Sequence, residues 1–154
     1  MLVNKDFEEF FALLNSHNVR FLLVGGYAVA FHGAPRYTGD IDVYYERSTK
    51  NAGAIVAALA AFGFESLGLT TEDFLTEGRV IQLGQAPNRI DLINQISGVQ
   101  FSTAWRSRVA DRYGEIPIRY IGKRTLLKNK RATNRDKDIV DVNRLTTMTK
   151  KKKK

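Results

Sequence analysis

The sequence contains no cysteine, which excludes disulfides and thiolate metal sites and suits a reducing compartment. No apolar run approaches the roughly 20 residues that a bilayer-spanning helix needs. The first residues, MLVNKDFEEFF, place Asp6, Glu8 and Glu9 where a secretory leader would be basic. These absences lead to the expectation of a cytoplasmic chain with no membrane partner. A P-loop, a zinc-ligand spacing and a Ser–His–Asp order are also missing, which argues against P-loop kinase, zinc-site and serine-hydrolase readings. There is no internal repeat and no linker.

What remains is 154 residues, 44% hydrophobic and 26% charged, a size and balance expected of one globular domain with a core of its own. The formal net charge of +8 overstates the basic character. Residues 150–154 are all lysine; removing these five from the 24 basic residues leaves 19 against 16 acidic ones, a body charge of +3. The expectation is a single domain over residues 1–149 followed by a solvated, disordered lysine tail, natural or added.

Periodicity alternates between helix and strand. Asn4 can cap a helix whose Phe7, Phe10, Phe11 and Leu14 share one face. Residues 20–24, RFLLV, read as a buried strand closed by Gly25 and Gly26. YAVAFH reads as a short helix ended by Gly33 and Pro35, and DIDVYY as a strand. Ser48 can cap a helix that stops at Gly63, and Thr71 precedes a short one. VIQL (80–83) and RIDLIN (89–94) read as strands joined by the turn-rich GQAPN. A short helix is expected from Ser102 through Trp105 and Val109, then a strand over 116–121, then two closing helices in KRTLLKNKRA and DKDIVDVNRL. Trp105 and the phenylalanines are expected in the core. The class is α/β or α+β, a small mixed sheet flanked by helices.

Two aspartates stand out in DIDVYY. On a strand Asp40 and Asp42 share a face, roughly 7 Å apart. Such a pair either lines a solvated face or holds something positive. Gly25 and Gly26, between a strand and a helix, allow close backbone approach to an anion, or simply a turn with φ > 0. Asp91 stands inside the apolar run of RIDLIN, where a lone carboxylate needs a partner. That partner is Arg89 beside it, or else Asp91 joins Asp40 and Asp42 in a three-carboxylate cluster. Three carboxylates facing a phosphate-cradling turn suit two Mg²⁺ ions and phosphoryl or nucleotidyl transfer.

LLVGGYAVAFHGAPRYTGDIDVYY, with RIDLIN downstream, resembles the DNA polymerase β-like nucleotidyltransferase superfamily, and looks closest to its minimal prokaryotic, abortive-infection or toxin-type branch. The resemblance spans about residues 19–95. It implies the polymerase β palm-like nucleotidyltransferase fold with the carboxylates on adjacent strands. It implies an NTP substrate, two Mg²⁺ ions (or Mn²⁺), and transfer of NMP to a hydroxyl with release of pyrophosphate. Asp40, Asp42 and Asp91 would be the catalytic metal ligands, with Asp91 helping to activate the acceptor. Gly25 and Gly26 would meet the triphosphate. Many relatives carry serine at the second position, a hydroxyl that Gly26 lacks. The acceptor would be RNA, tRNA among the candidates, or a protein, and the chain would pair with a cognate toxin or antitoxin. The alternative is a catalytically silent nucleotide- or partner-binding module.

A triphosphate needs more cations. Arg36 lies close in sequence. In the closing helices the resemblance favours Lys130 and Arg135 over Lys128 and Lys137, against the plainer reading of a solvated face paired with Asp136, Asp138 and Asp141. His32 and Tyr27 could touch phosphate or base, but packing is the commoner fate of such residues.

Overall fold

The computed structural model describes residues 4–34, 39–85 and 88–152; Arg36 lies outside them. Six strands form one mixed sheet in the order β3-β4-β2-β1-β6-β5: β1 (Phe21–Val24), β2 (Ile41–Tyr45), β3 (Ile81–Leu83), β4 (Ile90–Ile93), β5 (Val109–Tyr113) and β6 (Ile116–Tyr120). The central pairs β2/β4 and β1/β6 are parallel, and β1/β2 and the two edge pairs are antiparallel. Among the described residues seven α-helices surround it: α1 (Lys5–Ser16), α2 (Gly25–Phe31), α3 (Thr49–Phe62), α4 (Thr71–Leu75), α5 (Phe101–Arg106), α6 (Lys123–Thr133) and α7 (Asp136–Lys152), with a short 3-10 turn at Glu65–Leu67. The mixed sheet flanked by helices is the architecture expected from the sequence.

Local chemistry sets the helix starts. The Asn4 side chain accepts from the N–H groups of Asp6 and Phe7, and that of Ser48 from Asn51. Thr70, one residue before the expected position, caps α4 with Asp73 bonding back. Side-chain alternation divides the sheet. Ile41, Val43 and Tyr45 of β2 lie on one face with Phe21 and Leu23 of β1. There Phe11 of α1 stacks on Phe21 and Phe74 of α4 packs on Tyr45. Asp42 and Tyr44 lie on the other face, where Tyr44 meets Phe101 of α5.

Two expectations are corrected. The helix beginning near Ser102 ends at Arg106, and Val109 starts a strand instead. Residues 109–112 are exposed at the sheet edge, so β5 has no apolar alternation to read; its pairing with β6 across the turn at Gly114, φ +60°, creates it. Trp105 is only partly buried, packed against the core from outside.

Candidate active site

The Asp42 face of the sheet carries the candidate site. Asp42 on β2 stands in register with Asp91 on the parallel neighbour β4, and with Val24 at the end of β1. The chain turns directly from Val24 into α2 through Gly25, whose φ is +66°. A Cβ at Gly25 would overlap the Asp42 carboxylate. The glycine has the left-handed backbone expected of the turn, and its missing side chain leaves room for the Asp42 carboxylate, an approach not read from the sequence. Gly26 is buried behind it and lines the same cavity.

Arg89 organises the other two carboxylates. Its Nε donates to Asp91 Oδ1 at 2.7 Å and its second guanidinium nitrogen to Oδ2 at 3.1 Å. The same guanidinium lies 3.3 Å from Asp40 Oδ2, and the Arg89 backbone N–H donates to Asp40 Oδ1 at 3.3 Å. The ion pair with Asp91 was legible in the sequence; the link to Asp40 was not. Asp42 is outside this clasp. Burial first, then the charge of Asp91, pushes its carboxyl up to about 6, with Lys137 and Lys130 opposing.

A cavity of about 530 Å³ opens over Asp42, lined by Gly25, Gly26, Lys130, Thr133, Arg135 and Lys137 among others. The structure thus brings together Asp42, both glycines and both favoured cations, but the cations differ in state. Lys130 is 4% exposed; its Nζ donates to Asp138 at 2.9 Å and lies 3.2 Å from Asp141. Arg135 is exposed, and its Nε donates to the second oxygen of Asp138 at 2.7 Å. Lys137 takes part in no ion pair among the described residues, and its charge reaches Asp42. Gln95 and Asn129 also line the cavity. Gln95 could have been found as the residue four beyond Asp91, just past the end of β4, and Asn129 as the neighbour of Lys130. A second cavity of about 850 Å³ shares Gln95 and Ile96 with the first and continues past Tyr44, Glu46 and Lys128.

His32 and Tyr27 do not enter the site. His32 Nε2 lies 2.7 Å from the Ile121 carbonyl, and burial holds its imidazole below the ordinary value. Tyr27 packs edge-on against Phe7.

The donor chemistry fits a hard divalent cation: aspartate oxygens on adjacent strands, one of them burdened by a neighbouring carboxylate and without an ion pair among the described residues. The arrangement is not a closed cage. Among the described residues no three acidic or histidine side chains converge on one point, because Arg89 holds Asp40 and Asp91.

No family model matches the chain, and no curated protein matches it in sequence. Its fold is similar to the solution structure of the antibiotic-resistance factor ANT(2'')-Ia, with TM-score 0.58 and 15% identity over 94% of this chain and 83% of that one. It is also similar to the crystal structure of an antigenic nucleotidyltransferase-like protein from Paracoccidioides brasiliensis, with TM-score 0.54 and 14% identity over 96% of this chain and 78% of that one. The chain has the nucleotidyltransferase fold.

Proposed function

We propose that this chain transfers NMP from an NTP to a hydroxyl acceptor and releases pyrophosphate. The observation that supports the reading is Asp42, in register with Asp91 on the neighbouring strand, packed against the Gly25 turn at the wall of one cavity that both Asp42 and the glycines line. The triphosphate lies over Gly25 and Gly26, where no side chain stands in the way. Arg135 and Lys137 face its phosphates, and Lys130 supports them from below as the buried charge that fixes Asp138. Asp40, Asp42 and Asp91 would hold Mg²⁺ or Mn²⁺, which supplies charge neutralisation at the reacting phosphate. The acceptor hydroxyl enters through the adjoining larger cavity. Its oxygen bonds to the α-phosphorus, the bond from that phosphorus to the bridging oxygen breaks, and the proton passes to the Asp42–Asp91 carboxylates. For the carboxylates to act together, Arg89 must release Asp40 and Asp91. The acceptor is a hydroxyl of RNA, tRNA among the candidates, or of a protein. A place in a toxin–antitoxin or phage-defence pair rests on the resemblance of residues 19–95 alone.

The test is incubation with each α-labelled NTP and Mg²⁺ or Mn²⁺, in the presence of total RNA and of protein. Wild type is expected to label an acceptor. Asp42→Asn and Asp91→Asn are expected to lose at least about 100-fold, some 2.7 kcal/mol of transition-state stabilisation. Full labelling by either variant would refute the reading.

A second reading has its own support. Arg89 already neutralises two of the three carboxylates, which suits a silent module that binds nucleotide or a partner without turnover. Calorimetry separates the two: ATP binding with no transfer from any NTP favours the module.

A further inference from the structure

Trp105 is the only tryptophan in the chain, and three arginines surround it: Arg20 just before β1, Arg108 between α5 and β5, and Arg119 on β6. The guanidinium carbons of Arg108, Arg119 and Arg20 lie 4.2, 4.9 and 5.3 Å from its ring centroid. Contacts of this kind occur roughly once per 70–80 residues, so three on one indole form a concentrated feature. Phe101 stacks behind the ring at 5.7 Å, and Arg108 donates to the Trp105 carbonyl at 2.7 Å. The indole therefore holds the guanidinium groups in place. Arg119 donates weakly to the Phe21 and Val19 carbonyls.

Their charge is poorly compensated within the chain. Only Arg20 has a carboxylate, Glu46 at 3.4 Å and exposed; Arg108 and Arg119 have no acidic partner among the described residues. Burial, then the charge of Arg108, holds the Arg119 guanidinium below its ordinary value. Three like charges that share a single carboxylate favour an anion from outside.

The basic surface continues onto α6. The Ser107 and Thr125 hydroxyls, 2.8 Å apart, join the end of α5 to the start of α6. Arg124, Lys128 and Arg131 follow at i, i+4 and i+7, one face of a helix that has no acidic residue. With Thr103 of α5 they line a groove of about 430 Å³. Arg124 to Arg131 spans roughly 10 Å along the axis, room for two or three phosphates of one strand. Lys128 also stands on the rim of the larger cavity that adjoins the Asp42 site. The track thus runs from Trp105 along α6 to the cleft.

We propose that Arg20, Arg108 and Arg119 around Trp105, continued by Arg124, Lys128 and Arg131, bind the phosphate backbone of a single nucleic-acid strand and lead it toward the cleft. Guanidinium forks match phosphate bidentately, and a guanidinium fixed flat on an indole offers its outer face to a base. The proposal rests on the nucleotidyl-transfer reading only in making this strand the acceptor; the binding itself stands apart from turnover.

The experiment titrates the full chain with fluorescein-labelled U12 RNA and dT12 DNA. It reads anisotropy for affinity and Trp105 emission for proximity. A saturable change in Trp105 emission is expected, with affinity falling linearly against log salt. Arg108→Gln and Arg124→Gln should each weaken binding several-fold and lower the salt slope by about one. Arg112→Gln, on the β5–β6 hairpin, should bind as wild type. Tighter binding of U12 than dT12 identifies RNA as the strand, and the reverse identifies DNA. Unchanged affinity in both Arg108→Gln and Arg124→Gln overturns the proposal and assigns any binding to the lysine tail. Equal affinity and the same variant pattern on phosphatidylserine vesicles overturns it in favour of a membrane surface. Nucleic acid bound at Trp105 with no transfer would sink the proposed activity and leave this surface standing. Transfer to an RNA end unaffected by both arginine variants would do the opposite.

Discussion

At Gly25 the left-handed backbone and the space beside Asp42 are a single requirement. Gly25→Ala meets both penalties: about 1–2 kcal/mol for a side chain at positive φ, and displacement of the Asp42 carboxylate. Transfer is expected to fall by far more than that stability loss accounts for, as kinetics beside thermal unfolding would show. Unchanged transfer would separate Gly25 from the site. Asp42 itself is held in the protonated direction, at about 6 against an ordinary 3.8. The sign follows from linkage. Between those two values the folded state keeps a proton that the unfolded chain releases, so stability falls as pH rises through that window. Above about 6 the metal-free protein carries the full cost of an ionised Asp42. Asp42→Asn should therefore raise the unfolding midpoint at pH 8 by several degrees, with the gain vanishing below about pH 4. Mg²⁺ should stabilise wild type and leave the variant unmoved. Thermal scans across pH, with and without Mg²⁺, check both statements. A variant less stable than wild type at pH 8 would contradict them.

At the scale of elements, α6 and α7 are locked by charge. Lys130 of α6 sits between Asp138 and Asp141 of α7, and neither acid is more than 2% exposed. Burial alone would raise the Asp138 carboxyl, but hydrogen bonds from Lys130, Thr133 and Arg135 outweigh it and hold it at about 2. Its stabilising contribution is complete above the ordinary carboxylate value and is lost as pH falls toward 2. Lys130→Met removes the cation that two buried acids share and is expected to cost about 3–5 kcal/mol. Lys137→Ala should leave the denaturant midpoint unchanged and weaken NTP binding by about tenfold. Denaturant unfolding beside calorimetry distinguishes the two; the reverse pattern would reassign the roles. This division between the cations was not legible in KRTLLKNKRATNRDKD, because it depends on which side of α6 meets α7. The capped starts at Asn4 and Ser48, and strands β2 and β4, were legible because each is fixed by neighbours in sequence. Strand β5 was not, since its residues are polar and exposed and only β6 makes them a strand. The three aspartates were readable as a set. That Arg89 clasps two of them was readable only in part, since Asp40 meets it by strand pairing rather than by sequence spacing.

Across the whole molecule, the two cavities and the basic track share one face of the sheet: the glycine turn and Asp42 at one end, Lys128 and the arginines beyond. The opposite face is closed by α1 and α4 on the aromatic core. On the proposed reading a triphosphate would lie over Gly25 and an acceptor in the adjoining space. The proposal puts the attack at the α-phosphorus, and this is what separates nucleotidyl transfer from phosphoryl transfer on the same ligands. The most direct measurement uses one NTP labelled at the α-phosphate in one reaction and at the γ-phosphate in another, each with RNA and protein acceptors. The account predicts that α-label enters an acceptor while γ-label leaves as pyrophosphate, and that Asp42→Asn abolishes both. Appearance of γ-label on an acceptor, with the α-label remaining in free nucleoside diphosphate, would contradict it.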